Sequence, residues 1–248
     1  VVAGIGLLSM LGLLRFVPAV PGNPGTSAKT ELKSMLRPQI WITLLAGAIG
    51  FGGSFAFYTY ITPTMTEVTG IPTNMLPWVL VLYGCGMTAG SLVSGPCLDR
   101  SIDKSALAGV TGMALILGLV SVFAHIPYVV LPLLFIIGIA MSLFTNGLQA
   151  RLLRESADAP NMSAAMNHAA FNFANALGAF LGGVVITAGW GYRAPAAVGV
   201  LLALAGTLVL LVAFAVAKRG KRSAAPVGDE GINTTDAVST ETPVAARA

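Results

Sequence analysis

The sequence predicts an all-α membrane protein, and three observations carry that expectation. First, 248 residues with 55% hydrophobic content, 10% charged side chains and a mean hydropathy of +0.81 hold more apolar surface than a water-soluble domain can bury within itself. Second, six stretches reach the roughly 20 apolar residues needed to cross a hydrocarbon core about 30 Å thick. Third, Lys and Arg gather in alternate connections, the pattern that orients membrane helices.

In chain order, residues 1–14, VVAGIGLLSMLGLL, are too short to span alone and lack the basic leader of a signal peptide, so they read as the end of a truncated transmembrane helix. The Pro/Gly/Ser/Thr-rich run PAVPGNPGTSAKT at 18–30 marks 15–38 as a cytoplasmic loop. Spans are expected at 39–61, 75–98, 106–125, 127–150, 161–188 and 194–217, which makes 39–217 a six-helix transmembrane bundle. Residues 218–248 are polar and Ala-rich, with too little apolar surface to fold, and are expected to be a disordered cytoplasmic tail.

Charge sets the orientation. Twelve of the fourteen basic residues (15, 29, 33, 37, 100, 104, 151, 154, 218, 219, 221 and 222) fall in connections on one side, while the opposite connections hold only Arg193. Positive loops stay cytoplasmic, so the C-terminus is expected in the cytoplasm. The net charge of +4 is explained by this topology and gives no reason to invoke nucleic acid. The basic run KRGKR at 218–222 reads as a flank that stops transfer, although it could also touch anionic lipid.

The residues exclude most enzyme classes. The chain has no metal-spaced His/Cys/carboxylate cluster, no phosphate-cradling Gly loop and no nucleophile with a matching base, so neither an enzyme nor a cofactor is expected. Cys85 and Cys97 lie on one predicted helix about 18 Å apart by helical rise, beyond the ~7 Å reach of a disulfide.

Three side-chain groups remain. Residues 95–104, GPCLDRSIDK, place Asp99, Arg100, Asp103 and Lys104 in a tight loop between two spans. They read either as solvated topology charges or as a gate latch, in which Asp99 binds a neighbouring helix N-terminus and pairs with Arg. On 161–188, Asn161, His168, Asn172, Asn175 and Gly182 share a stripe, with Asn167 and Gly178 nearby. Glycines there allow close helix contact. Asn172 and Asn175, mid-span, read equally as interhelical glue or as the lining of a wet cavity. On 39–61, Gly47, Phe51, Ser54 and Tyr58 recur at helical spacing, which suits either packing or a site for an amphipathic organic solute. Gly86, Gly90 and Ser94 form a small-residue track for close contact.

The run Gly95-x-x-x-Asp99-Arg100-x-x-x-Lys104 resembles the Gly-x-x-x-Asp-Arg-x-Gly-Arg-Lys loop motif of the major facilitator superfamily, in the weaker copy carried by the second half of that family. Here Ile102 stands for its Gly and Asp103 for an Arg. Residues 148–195 are similar to the tenth-to-twelfth-helix region of the 12-spanner drug:proton antiporters, nearest the arabinose-efflux and chloramphenicol-exporter branch. The resemblance implies a six-helix C-terminal repeat preceded by the end of helix six, with an N-terminal six-helix half outside this chain, in a bacterial-type inner or plasma membrane. It implies a secondary transporter exporting small organic molecules, such as drugs or sugars, by proton antiport and alternating access. The alternative is a truncated, non-transporting membrane protein or a partner-binding scaffold.

Coupling rests on an absence. All ten acidic residues are expected in loops or the tail, none inside a span. Imidazole is the side chain that ordinarily changes charge near neutral pH, and His168 is the histidine within a predicted span, His125 standing at the turn that ends one. It reads as a proton-sensitive group or as a neutral interhelical histidine. The family's coupling carboxylates are then expected in the N-terminal half.

Overall fold

The computed structural model describes residues 2–16, 37–157 and 159–223, so most of the predicted 15–38 loop and of the predicted 218–248 tail lies outside the described residues; at their described edges, 15–16 and 38 belong to helices and 218–223 continue the last helix. All elements among the described residues are helical. The long ones are α1 (Val2–Phe16), α2 (Pro38–Tyr58), α3 (Leu76–Arg100), α4 (Ile102–Phe123), α5 (Pro127–Glu155), α6 (Pro160–Val185) and α7 (Ala194–Ser223), with short helical turns at Ile61–Pro63, Thr64–Val68 and Thr73–Met75 between α2 and α3. Helices α2 to α7 are each long and apolar enough to cross a membrane. On α1 the apolar side chains stay uncovered, with Leu14 and Phe16 exposed.

Local chemistry sets the starts. Helices α2, α3, α5 and α6 carry Pro in the first two positions, where the missing N–H has no intrahelical partner to lose. Helix α4 starts on Ser101, whose hydroxyl accepts the Lys104 N–H at 3.4 Å, and Asp103 in its first turn complements the positive end of the helix dipole. The ends differ from the expected spans in two places that matter. The predicted loop at 99–104 is reduced to Ser101 alone: Asp99 and Arg100 close α3, while Asp103 and Lys104 open α4. Helix α5 runs on to Glu155, because Arg-Leu-Leu-Arg-Glu continues the helix and Arg151 pairs with Glu155 four residues on. Three acidic residues expected in loops, Asp99, Asp103 and Glu155, therefore lie in these helices.

Beyond Val185 the chain makes a π-turn, Ile186–Trp190, and reverses through Gly189 and Gly191, whose φ values of 82° and 76° favour glycine. At the same end of the bundle the Thr64 hydroxyl donates to the Tyr192 carbonyl at 2.9 Å, and that of Thr69 to the Ala124 carbonyl at 2.7 Å.

Helix α2 is the pillar. It packs chiefly on α7 and α6; α5 packs on α3 and α4, and α4 also lies against α7. In lipid no hydrophobic gain separates a helix–helix contact from a helix–lipid contact, so close approach must come from small residues. The predicted track on α3 does this: Gly86 lies on the Phe135 carbonyl, a Cβ on Gly90 would stand 2.6 Å from the Ile139 Cα, and Ser94 is buried. Helices α3, α6 and α7 are the less covered spans, and most of α6 is exposed or half-buried.

Candidate functional site

Two regions gather polar chemistry. The first runs from the middle of α2 to its end. Phe51, Ser54 and Tyr58 follow one another on the stripe predicted for them, and other helices meet them there. Phe51 stacks on Phe171 of α6 with centroids 4.4 Å apart, and Tyr58 lies 5.0 Å from Tyr83 of α3. Phe55, between them, sits 4.9 Å from Phe51 and 5.8 Å from Tyr58, so five rings from three helices form a continuous row. The Ser54 and Tyr83 hydroxyls both donate to the Met141 sulfur of α5, at 3.2 and 2.7 Å. A thioether is a weak acceptor, so a carbonyl brought to the same hydroxyls would make a better partner.

The other predicted cavity residues are placed on α6 without partners. Asn172 is exposed, Asn175 half-buried and His168 exposed, and none has a side-chain hydrogen bond among the described residues. Asn175 follows Phe171 by one turn, which puts it beside the aromatic row; Asn172 and His168 lie farther round the helix. The buried asparagine is instead Asn167, off the predicted stripe, with both polar atoms unbonded among the described residues. Nothing in the described structure explains that deficit.

The second region is the charged end of the bundle. Arg151, only 1% exposed, reaches four acceptors: Asp103 of α4 and Glu155 of α5, both at 2.6 Å, the Thr43 hydroxyl of α2 at 3.3 Å and the Ala213 carbonyl of α7 at 3.4 Å. Its guanidinium also lies 4.6 Å over the Phe214 ring. Thr43 and Gln39 donate to Glu155 at 2.9 Å each, and Arg154 pairs with Asp103 at 2.7 Å. A planar fork of donors suits this task, since one guanidinium can hold two carboxylates at once. Four helices are thereby tied at one point. By contrast Asp99, Arg100 and Lys104 are exposed and form no ion pair among the described residues.

A model of the Major Facilitator Superfamily matches residues 1–165 and, in a second match, 43–246. The chain belongs to this superfamily. Over 217 residues it is 32% identical to the inner membrane transport protein YdhP of Escherichia coli K12, an alignment covering 88% of this chain and 55% of that protein. It is 29% identical over 220 residues to the purine ribonucleoside efflux pump NepI of Escherichia coli O6:H1, covering 88% and 54%. The chain thus spans about half the length of the curated relatives it matches. Superfamily members are membrane transporters, and six membrane-crossing helices make this chain a multi-pass membrane protein.

Within that superfamily frame, the sequence pattern named the aromatic stripe on α2 but missed the partners of that stripe, Tyr83, Met141 and Phe171. It also read Arg151 as a loop charge. The one available signal was the Arg-x-x-x-Glu spacing of 151 and 155.

Proposed function

We propose that this chain is the C-terminal six-helix repeat of a secondary transporter that exports small, partly apolar organic molecules by alternating access, with its charged end and C-terminus in the cytoplasm of a cell with a bacterial-type inner membrane. The observation that carries this reading is the row of rings from α2, α3 and α6 beside Asn175, a polar group well inside its span with no hydrogen bond among the described residues, which hydrocarbon would penalise and a wet cavity would not. Phe51, Ser54, Tyr58, Asn172 and Asn175 then line one side of a cavity, and a second repeat supplies the other side. The relatives' length and the efflux named for NepI support that arrangement. Transport, not catalysis, suits a site with no paired nucleophile and base.

Asp99, Arg100 and Lys104 are proposed as a gating loop whose partners belong to the other repeat or to another state. In the transporter containing this chain, Asp99→Asn is expected to cut uptake into inside-out vesicles about tenfold or more, the loss typical of a charge-assisted contact of about 1.5–3 kcal/mol, with unchanged abundance. Undiminished uptake would return these charges to topology alone.

Export is proposed to be driven by proton antiport, with the coupling carboxylates in the other repeat. No acidic side chain sits mid-span among the described residues, because Asp103 and Glu155 lie at helix ends and are already paired. His168→Gln is therefore expected to leave the pH dependence of vesicle uptake nearly unchanged. If the variant lost gradient-driven uptake but kept downhill exchange, His168 would be the proton carrier.

A further inference from the structure

The row of rings divides by exposure. Phe51 and Tyr83 are buried and back the row, whereas Phe55, Tyr58 and Phe171 keep part of their surface uncovered. Phe171 stacks on Phe51 with 22° between the ring planes and is followed one turn on by Asn175, which is also partly uncovered. Beside these rings, hydroxyls from two helices, Ser54 of α2 and Tyr83 of α3, converge on the single Met141 sulfur of α5. Buried hydroxyls ordinarily find an oxygen or nitrogen acceptor, and a thioether is a weak substitute. Met141 has three rotatable bonds, so its sulfur can withdraw when a stronger acceptor arrives. Charge is missing here. Residues 38–58 of α2, 76–98 of α3 and 127–150 of α5 carry no charged side chain. A charge brought against this wall would lose its hydration without gaining a counter-charge, so any charge on the substrate faces the other repeat.

We infer that the substrate presents to this repeat an uncharged, planar heteroaromatic ring bearing a carbonyl. The ring lies on the uncovered surface of Phe55, Tyr58 and Phe171, and the carbonyl accepts from the Tyr83 and Ser54 hydroxyls in place of Met141. The inference rests on the reading of this row as a cavity wall, and it narrows the substrate class. An aliphatic guest gains only buried area against these rings, while stacking adds about twofold to tenfold in affinity to an aromatic one. A hydrogen bond from either hydroxyl adds a similar factor to a guest that carries an acceptor.

The test is equilibrium dialysis of three labelled probes against the purified transporter containing this chain, with empty micelles as the blank. Isoquinolin-1-one is planar and carries a carbonyl, naphthalene is planar without an acceptor, and 1-decalone has a carbonyl but no aromatic ring. Tyr83→Phe keeps the ring and removes only the hydroxyl. It is expected to weaken isoquinolin-1-one and 1-decalone about threefold to tenfold and to leave naphthalene unchanged. Ser54→Ala should act in the same direction and decides the point if Tyr83→Phe does not fold. Phe171→Leu, or Phe55→Leu if that variant does not fold, is expected to weaken both aromatic probes severalfold and 1-decalone little. Isoquinolin-1-one alone is then sensitive to both kinds of substitution. Failure of the three probes to bind overturns the inference, as does an equal loss of naphthalene in Tyr83→Phe, which assigns the effect to packing. Equal losses of 1-decalone and the aromatic probes in Phe171→Leu remove the planar ring and overturn it too. Binding is read without a gradient, so the two readings fail separately. Abolished vesicle uptake with these binding differences intact would sink transport and keep the ligand class; uptake without such differences would sink the ligand class alone.

Discussion

Arg151→Met is expected to destabilise the bundle by about 3–5 kcal/mol and to remove most of the folded protein, read as a lower yield of monodisperse protein and a lower thermal midpoint in detergent. The magnitude comes from what is left behind. Arg151 is 1% exposed and the Glu155 side chain 8% exposed, so loss of the guanidinium strands a buried carboxylate whose remaining donors are Thr43 and Gln39. Asp103 suffers less, since it is 39% exposed and keeps Arg154. Arg151→Lys should fall between, because one ammonium cannot reproduce a fork that spans two carboxylates and stacks on Phe214. The double variant Arg151→Met with Glu155→Leu should recover much of the loss, as no uncompensated buried charge remains. Equal instability of the single and double variants would assign the effect to packing on Phe214 and Thr43, not to charge.

What could be read from the sequence followed from physics that acts along one helix. Hydropathy and length located all six spans, because a bilayer imposes the same requirement on every crossing helix whatever its neighbours. The small-residue track on α3 was legible for the same reason: Gly86 and Gly90 recur on one face before any partner is known. Helix ends were less legible. Arg151, Arg154 and Glu155 read as loop charges until their helical continuation was seen, and only the fold shows that Arg151 meets Thr43 and Phe214 from distant parts of the chain. The aromatic row failed similarly. Phe51 and Tyr58 were visible as a stripe, but Tyr83 and Phe171 join it through the packing of three helices, which no local period encodes.

The α6 helix separates packing from lining most sharply, and substitutions there should divide the two roles. A Cβ on Gly178 would collide with the Gly52 carbonyl and stand 2.8 Å from the Ala56 nitrogen, both backbone atoms that cannot swing away. On Gly182 it would stand 2.7 Å from the Tyr60 ring and 2.9 Å from the Ala56 carbonyl. The ring can move, although its hydroxyl would lose the 2.9 Å bond to the Ala179 carbonyl. Gly178→Leu is therefore expected to abolish folded protein and Gly182→Leu to reduce it severalfold, since overpacking ordinarily costs about 1–3 kcal/mol and more where backbone must yield. Asn172→Ala and Asn175→Ala remove side chains that hold no hydrogen bond among the described residues, so folded protein should stay near wild type. If these two residues line the cavity, their loss should appear instead as a severalfold change in the substrate concentration for half-maximal transport, with Asn175, beside the aromatic row, having the larger effect. Loss of folded protein in the Asn variants equal to that in Gly178→Leu would make the whole α6 stripe interhelical glue and leave α2 and α3 alone to line the proposed cavity.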